Sequence, residues 1–190
     1  MATVIKCIDR CSCLKNTFTK LLPLLDPNPA REGIAETPLR MAKAWQFWTQ
    51  GYAQEKEIPN ILKCFRDGSE RYDEMIWESP IPFYSHCEHH LAPFFGTATI
   101  AYIPNKRILG LSKLSRLLDI YSRRLQVQER ITRQVADAMW KHLKPKGVAV
   151  FLTARHLCME SRGINRAGIQ THTSALRGVF MTDAKVRAEF

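Results

Sequence analysis

The sequence predicts an α+β domain: a four-stranded antiparallel sheet with two helices on one side, preceded by a helical N-terminal arm. Three observations carry this. Residues 73–190 read in the order strand, strand, helix, helix, strand, strand, which suits an antiparallel sheet with segregated helices. Residues 1–72 show helical periodicity followed by connector chemistry, so they form the arm and its link rather than more sheet. The 190-residue length, with 45% hydrophobic residues, suits one globular domain plus a terminal extension.

In the arm, Leu14, Phe18, Leu21, Leu22 and Leu25 recur at helical spacing, with Pro23 distorting the helix near its end. Asp26-Pro27-Asn28-Pro29 is a loop. Thr37-Pro38 starts a second helix, threonine as N-cap and proline at the first helical position. Met41, Ala42, Trp45 and Trp48 form its apolar face, and Gly51 is its expected stop. Arg40 sits in the first turn, where a cation opposes the helix dipole, a small cost that makes sense if it reaches a phosphate.

From Asp73 the pattern changes. Met75–Phe83 reads as a strand whose prolines suit an edge or a bulge, and Phe94–Ile103 as its antiparallel partner. Gly110-Leu111-Ser112-Lys113 opens a helix with Ser112 as N-cap candidate, and Leu111, Leu114, Leu117, Leu118 and Leu125 fall on one side. Val127, Ile131, Val135, Ala138 and Met139 mark the next helix, closed by Pro145-Lys146-Gly147. Val148–Ala154 and Thr171–Met181 supply the last two strands.

The formal charge of +10 fits nucleic acid, anionic lipid or a polyphosphate ligand. No block of five or six consecutive basic residues marks a nucleic-acid tail, and no interleaved aromatic and basic motif marks a single-strand platform. No run approaches the roughly 20 apolar residues needed to cross a bilayer, and the N-terminus lacks a signal peptide's apolar region. A cytoplasmic location is expected, with no membrane or nucleic-acid partner, and with the six cysteines free or metal-bound rather than paired. Cys7, Cys11 and Cys13 lack a nearby histidine or fourth cysteine to close a local metal site.

The chemistry concentrates in Cys87-Glu88-His89-His90 and His156-Leu157-Cys158. Cys87 and His90 lie three apart, so one tight turn can aim both at one ion. His156 and Cys158 lie two apart at a strand end and are expected on the same face. Cys87, His90 and Cys158 as three ligands would leave a zinc ion's fourth position to water, with His89 and His156 beside it as a general acid/base pair. Zinc would lower its water's pKa toward about 7. A closed structural site with His89 or His156 as fourth ligand is the alternative on spacing alone, and so is a chain without metal.

Cys87-Glu88-His89-His90, Gly110-Leu111-Ser112-Lys113-Leu114, Gln126-Val127-Gln128-Glu129-Arg130 and His156-x-Cys158-Met159 followed by Arg162-Gly163 together resemble GTP cyclohydrolase I, from about Glu36 to Phe180. The resemblance implies the tunnel fold, in which sheets from five subunits close into a barrel and two pentamers stack into a decamer, with active sites between subunits. It implies one zinc per subunit on Cys87, His90 and Cys158. GTP would be the substrate: His89 protonates the purine N7, His156 assists proton transfer, and the ring opens at C8 with loss of formate. Rearrangement and reclosure then give 7,8-dihydroneopterin triphosphate. Ser112 would touch the ribose–phosphate end. Glu129, helped by Gln128, would accept from guanine N1–H and the 2-amino group. Arg40, Lys113, Arg116 and Arg162 would hold the triphosphate. The short, cysteine-bearing N-terminal arm is the main departure from the family pattern. A tunnel-fold relative with other pterin or deazaguanine chemistry and a zinc-stabilised basic nucleic-acid-binding domain are the competing readings.

Overall fold

A computed structural model describes residues 9–68 and 72–190. The chain divides into two compact units, one up to Thr49 and the other from Gln50 to Phe190. In the first, helix α1 (Arg10–Leu25) begins where the Asp9 carboxylate accepts from the backbone N–H groups of Cys11 and Ser12 at 3.0 and 3.2 Å. Pro23 lies in its last turn. Helix α2 spans Thr37–Trp48. Thr37 is its first residue and not its cap: Glu36 already has helical backbone angles, and no side chain caps the end. Pro38 still falls in the first turn, where its missing N–H leaves nothing unsatisfied. Cys11 is a free thiol but Cys13 is disulfide-bonded, a correction to the expectation of unpaired cysteines; Cys7 lies outside the described residues.

Gly51 is not the stop of α2; Thr49 closes that helix. Gly51 opens a short helix of the second unit, α3 (Gly51–Gln54). A Cβ there would lie 2.1 Å from the Ile120 carbonyl oxygen and 2.8 Å from that of Arg123, so only glycine permits the approach. One-turn helix α4 (Ile58–Ile61) and strand β1 (Cys64–Phe65) follow.

The sheet is built from β2 (Ile76–Cys87), β3 (Pro93–Ile103), β6 (Gly147–His156) and β7 (Thr171–Gly178), antiparallel neighbours in that order. Its prolines bring the expected irregularity: β2–β3 pairing shifts register between Glu78 and Ile81. Two-residue strands complete the picture, β4 (Ile108–Leu109) on β1 and β5 (Leu125–Gln126) parallel to the end of β2. The fifth strand of the sheet, β5, is too short to show a period in sequence. β7 ends at Gly178 rather than Met181, because Gly178 (φ 62°) turns the chain into short helices α8 (Val179–Thr182) and α9 (Ala184–Glu189), the latter numbered after α5–α7 below.

Helix α5 (Ser112–Ser122) lies against β2, and α6 (Gln128–Leu143) against β6 and β7. Alternate residues of the strands, Phe94, Ala98, Ile100 and Tyr102 on β3 and Val148, Val150, Leu152 and Ala154 on β6, meet Leu114, Leu117, Leu118, Ile131, Val135 and Met139 in one buried core. Each fully buried aliphatic side chain contributes about 1.5–3 kcal/mol. Leu111 departs from its periodicity and is exposed, because it occupies the cap position of α5. Ser112 is accordingly the first helical residue and not the N-cap. α6 ends at Lys144 in the left-handed conformation (φ 52°). On the opposite sheet face Trp77, Tyr84 and Phe151 stay exposed. This arrangement is the α+β, strand–strand–helix–helix–strand–strand fold expected from the sequence.

Candidate active site

The β2–β3 hairpin makes the first half of the site. Cys87 is the last residue of β2, and its N–H donates to the Ala92 carbonyl at 2.8 Å. Its own carbonyl accepts from His90 (3.3 Å) and Leu91 (2.8 Å), and Leu91 takes a positive φ to close the turn. That turn sets the Cys87 Sγ 3.5 Å from His90 Nδ1. The second half comes from the end of β6. His156 ends the strand, but Cys158 lies in a one-turn helix, α7 (Leu157–Glu160). The two-residue strand alternation therefore does not apply. A bidentate pair between Arg155 and Glu160, at 2.9 and 2.5 Å, spans this corner.

The ligating atoms of Cys87, His90 and Cys158 all lie within 4.8 Å of one another. Around a tetrahedral ion with zinc–sulfur and zinc–nitrogen bonds, donors stand about 3.5–3.8 Å apart, and the Cys87–His90 separation meets that spacing. Burial pushes the Cys158 thiol up, and the neighbouring Cys87 adds to the effect. Two cysteine sulfurs and an imidazole nitrogen converging on one point are a donor set that fits a bound metal.

His156 is fixed on two sides. Its ring stacks on Phe94, its cross-strand partner, with centroids 4.6 Å apart and planes 4° from parallel. Its Nε2 lies 2.9 Å from Gln128 Oε1. The orientation of that amide is set independently: Gln128 Nε2 is within 3.1 Å of the Leu152 carbonyl, 2.9 Å of the Thr171 carbonyl and 3.1 Å of Thr173 Oγ1. Carbonyls only accept, so the amide nitrogen must face them and the amide oxygen must face His156. The proton of a neutral His156 is therefore on Nε2, donated to Gln128, and Nδ1 carries the lone pair. Burial lowers the His156 pKa, which keeps the ring neutral near pH 7, with Glu129 pulling in the opposite direction.

The decisive comparison is a match to the family GTP cyclohydrolase I over residues 14–190. This chain belongs to the GTP cyclohydrolase I family. The GTP cyclohydrolase 1 of Nitrosospira multiformis is 56% identical over 173 residues, covering 91% of this chain and 90% of that protein. That of a Janthinobacterium species is 55% identical over 173 residues, covering 91% and 86%. A solved structure, the archaeosine synthase QueF-Like in the apo form, is 16% identical with a TM-score of 0.42, over 55% of this chain and 92% of that one.

The residues expected from the GTP cyclohydrolase I resemblance fall in several places. His89 is exposed, its Nδ1 3.8 Å from Cys87 Sγ and its Nε2 3.9 Å from Glu88 Oε1. Glu129 is exposed on the first turn of α6, close enough to His156 for its charge to act there. Gln128, on the same turn, is buried and committed to His156 and the sheet. Arg162 Nη1 donates to the Cys158 carbonyl at 3.4 Å. Ser112 and Lys113 open α5. Arg116, farther along, borders a surface hollow with Gln50, Gln54 and Glu57, whose lining includes none of Cys87, His90 and Cys158. Arg40, in the N-terminal unit, pairs with Glu36 at 2.6 Å. Sequence reasoning gave no site role to Phe94, Glu88 or Arg130. Glu88 and Arg130 were already inside the quoted motifs, which was the available signal.

Proposed function

We propose that this chain hydrolyses GTP, opening the guanine imidazole ring with release of formate and forming 7,8-dihydroneopterin triphosphate. The observation that carries the reading is the convergence of Cys87, His90 and Cys158 beside a histidine whose tautomer is already set by Gln128. Zinc is the ion for that donor set: when bound, it would polarise a water for attack at C8.

The residues divide the remaining work. His89 lends a proton to the purine N7, and the Glu88 carboxylate 3.9 Å away gives an imidazolium there an anionic neighbour. His156 takes and returns protons through Nδ1, the ring nitrogen without a partner among the described residues. Glu129 accepts from N1–H and the 2-amino group, a pair of donors that guanine has and adenine lacks. Gln128 supports recognition from behind by holding His156. Ser112 meets the ribose–phosphate end, and Arg40, Lys113, Arg116 and Arg162 bind the triphosphate.

The hollow that Arg116 lines includes none of Cys87, His90 and Cys158, which favours sites completed between subunits. Ten copies, as two stacked pentamers, would pair the open edge of β7 with a neighbour and cover the exposed aromatic face of the sheet. Residues 73–190 form the catalytic domain and residues 1–72 its arm and connector. Cytoplasmic conditions suit two thiols that must stay reduced to bind metal.

Purified, metal-loaded protein given GTP should release one formate per pterin formed and leave ATP untouched. No formate at full metal loading would refute the reading. Native mass measurement should find ten subunits.

A further inference from the structure

The Cys87–His90 hairpin and the first turn of α6 are joined by a bidentate ion pair. Arg130 Nη1 donates to Glu88 Oε2 at 2.5 Å and Arg130 Nη2 to Glu88 Oε1 at 3.0 Å, a two-point fork. The backbone N–H of Glu88 donates to the Gln126 carbonyl at 3.0 Å, and Cys87 pairs with Gln126 across the β2–β5 contact. Arg130 Nη1 also reaches Gln126 Oε1 at 3.3 Å. Gln126 in turn donates to the Tyr121 carbonyl and to Gln134 Oε1, at 2.9 and 2.8 Å. Glu88 stands between Cys87 and His89, and Arg130 directly follows Glu129. One helical turn thus sends Gln128 to His156, presents Glu129 outward and returns Arg130 to the metal hairpin.

Guanine is a rigid bicycle whose N1/2-amino edge and C8 lie at opposite ends. A protein that grips one end with Glu129 and attacks the other beside Cys87 and His90 must hold those two points at a fixed separation. We propose that the Glu88–Arg130 ion pair is a positioning device that sets this separation, locking the metal hairpin to the guanine-reading turn. This rests on the functional reading above. Neither residue touches the reacting atoms, and both act through their neighbours.

The test compares Glu88→Gln, Glu88→Asp, Arg130→Gln and Arg130→Lys in full-length, zinc-loaded protein. Glu88→Asp is the most informative: it keeps the charge but shortens the arm by roughly 1.5 Å, one carbon–carbon bond. If the pair sets spacing, Glu88→Asp and Glu88→Gln lose about 10-fold or more in kcat while KM for GTP changes by less than about 3-fold. Arg130→Lys, which keeps charge without the fork, falls between wild type and Arg130→Gln. Zinc transfer to a chelator should quicken about 10-fold in Glu88→Gln, a readout independent of turnover. Melting temperatures identify any variant lost to misfolding, and Glu88→Asp then decides. Wild-type kcat in Glu88→Asp overturns the proposal, as does unchanged zinc release in Glu88→Gln. Wild-type protein that makes no formate would refute the functional reading instead, leaving the zinc-release comparison to judge the ion pair.

Discussion

Replacing Gln128 by methionine preserves side-chain length and volume while deleting its four hydrogen bonds. The losses are unequal. Thr173 Oγ1 keeps Thr132 Oγ1 as a partner at 2.7 Å, so it is not orphaned. The carbonyls of Leu152 and Thr171 lose a donor, and the half-buried N–H of His156 loses its acceptor. At about 1 kcal/mol per net bond, and about 1–3 kcal/mol for a buried group left unpaired, the expected destabilisation is about 3 kcal/mol. For a chain of this size that lowers Tm by roughly 6–12 °C. The chemical penalty should be larger. With Gln128 gone, the neutral imidazole can place its proton on either nitrogen, and the lone pair no longer points one way. General acid–base work contributes about 10²–10⁴-fold, so a kcat loss of about 10²-fold is expected. KM should change little, because Glu129 and the cations remain. Formate release under saturating GTP, measured well below the variant's melting temperature, separates the two effects. A kcat within about 3-fold of wild type would refute the tautomer argument, whatever the stability change.

Cys158→Ser should sharply weaken metal retention, and elemental analysis at full occupancy would contradict its place in the donor set. His89→Ala should keep its metal and still bind GTP yet lose about 10²-fold or more in ring opening, and normal turnover would remove it as the acid. Gly51→Ala should cost about 3 kcal/mol in a thermal melt, because the new methyl meets the backbone oxygen of Ile120 at 2.1 Å; an unchanged melt would show that the turn can yield. Burial raises the Glu78 carboxyl above its ordinary value of 4.5, so the native state there holds its proton to higher pH than the unfolded chain, and stability falls as pH rises through that raised value. Glu78→Gln should therefore raise Tm at pH 7, with the advantage vanishing below about pH 4.5.

Much of this was legible because it is local. The Cys87–His90 turn needs only four residues, and the leucines of α5 and the β-branched and apolar residues of α6 announce their buried faces. Leu111 misled because periodicity cannot distinguish a cap position from a helical one. Gly51 misled because its constraint is the carbonyl of Ile120, 69 residues away in a helix that sequence cannot position. Cys158 was placed on a strand because the turn beginning at Leu157 has no Gly or Pro to signal it. The bonds that define the site are long range too: Gln128 meets His156 across 28 residues, and Arg130 meets Glu88 across 42. The motif words named those residues without saying whom each would touch.

The stack of His156 on Phe94 has a consequence for how a multistep reaction can run. A ring pinned flat against a core aromatic and tethered at one corner cannot swing, so in the proposed role it would offer and receive protons at a single remaining vertex. Successive transfers to different atoms then require the reacting molecule to travel past a stationary relay. The opened, more pliable intermediate would supply that movement.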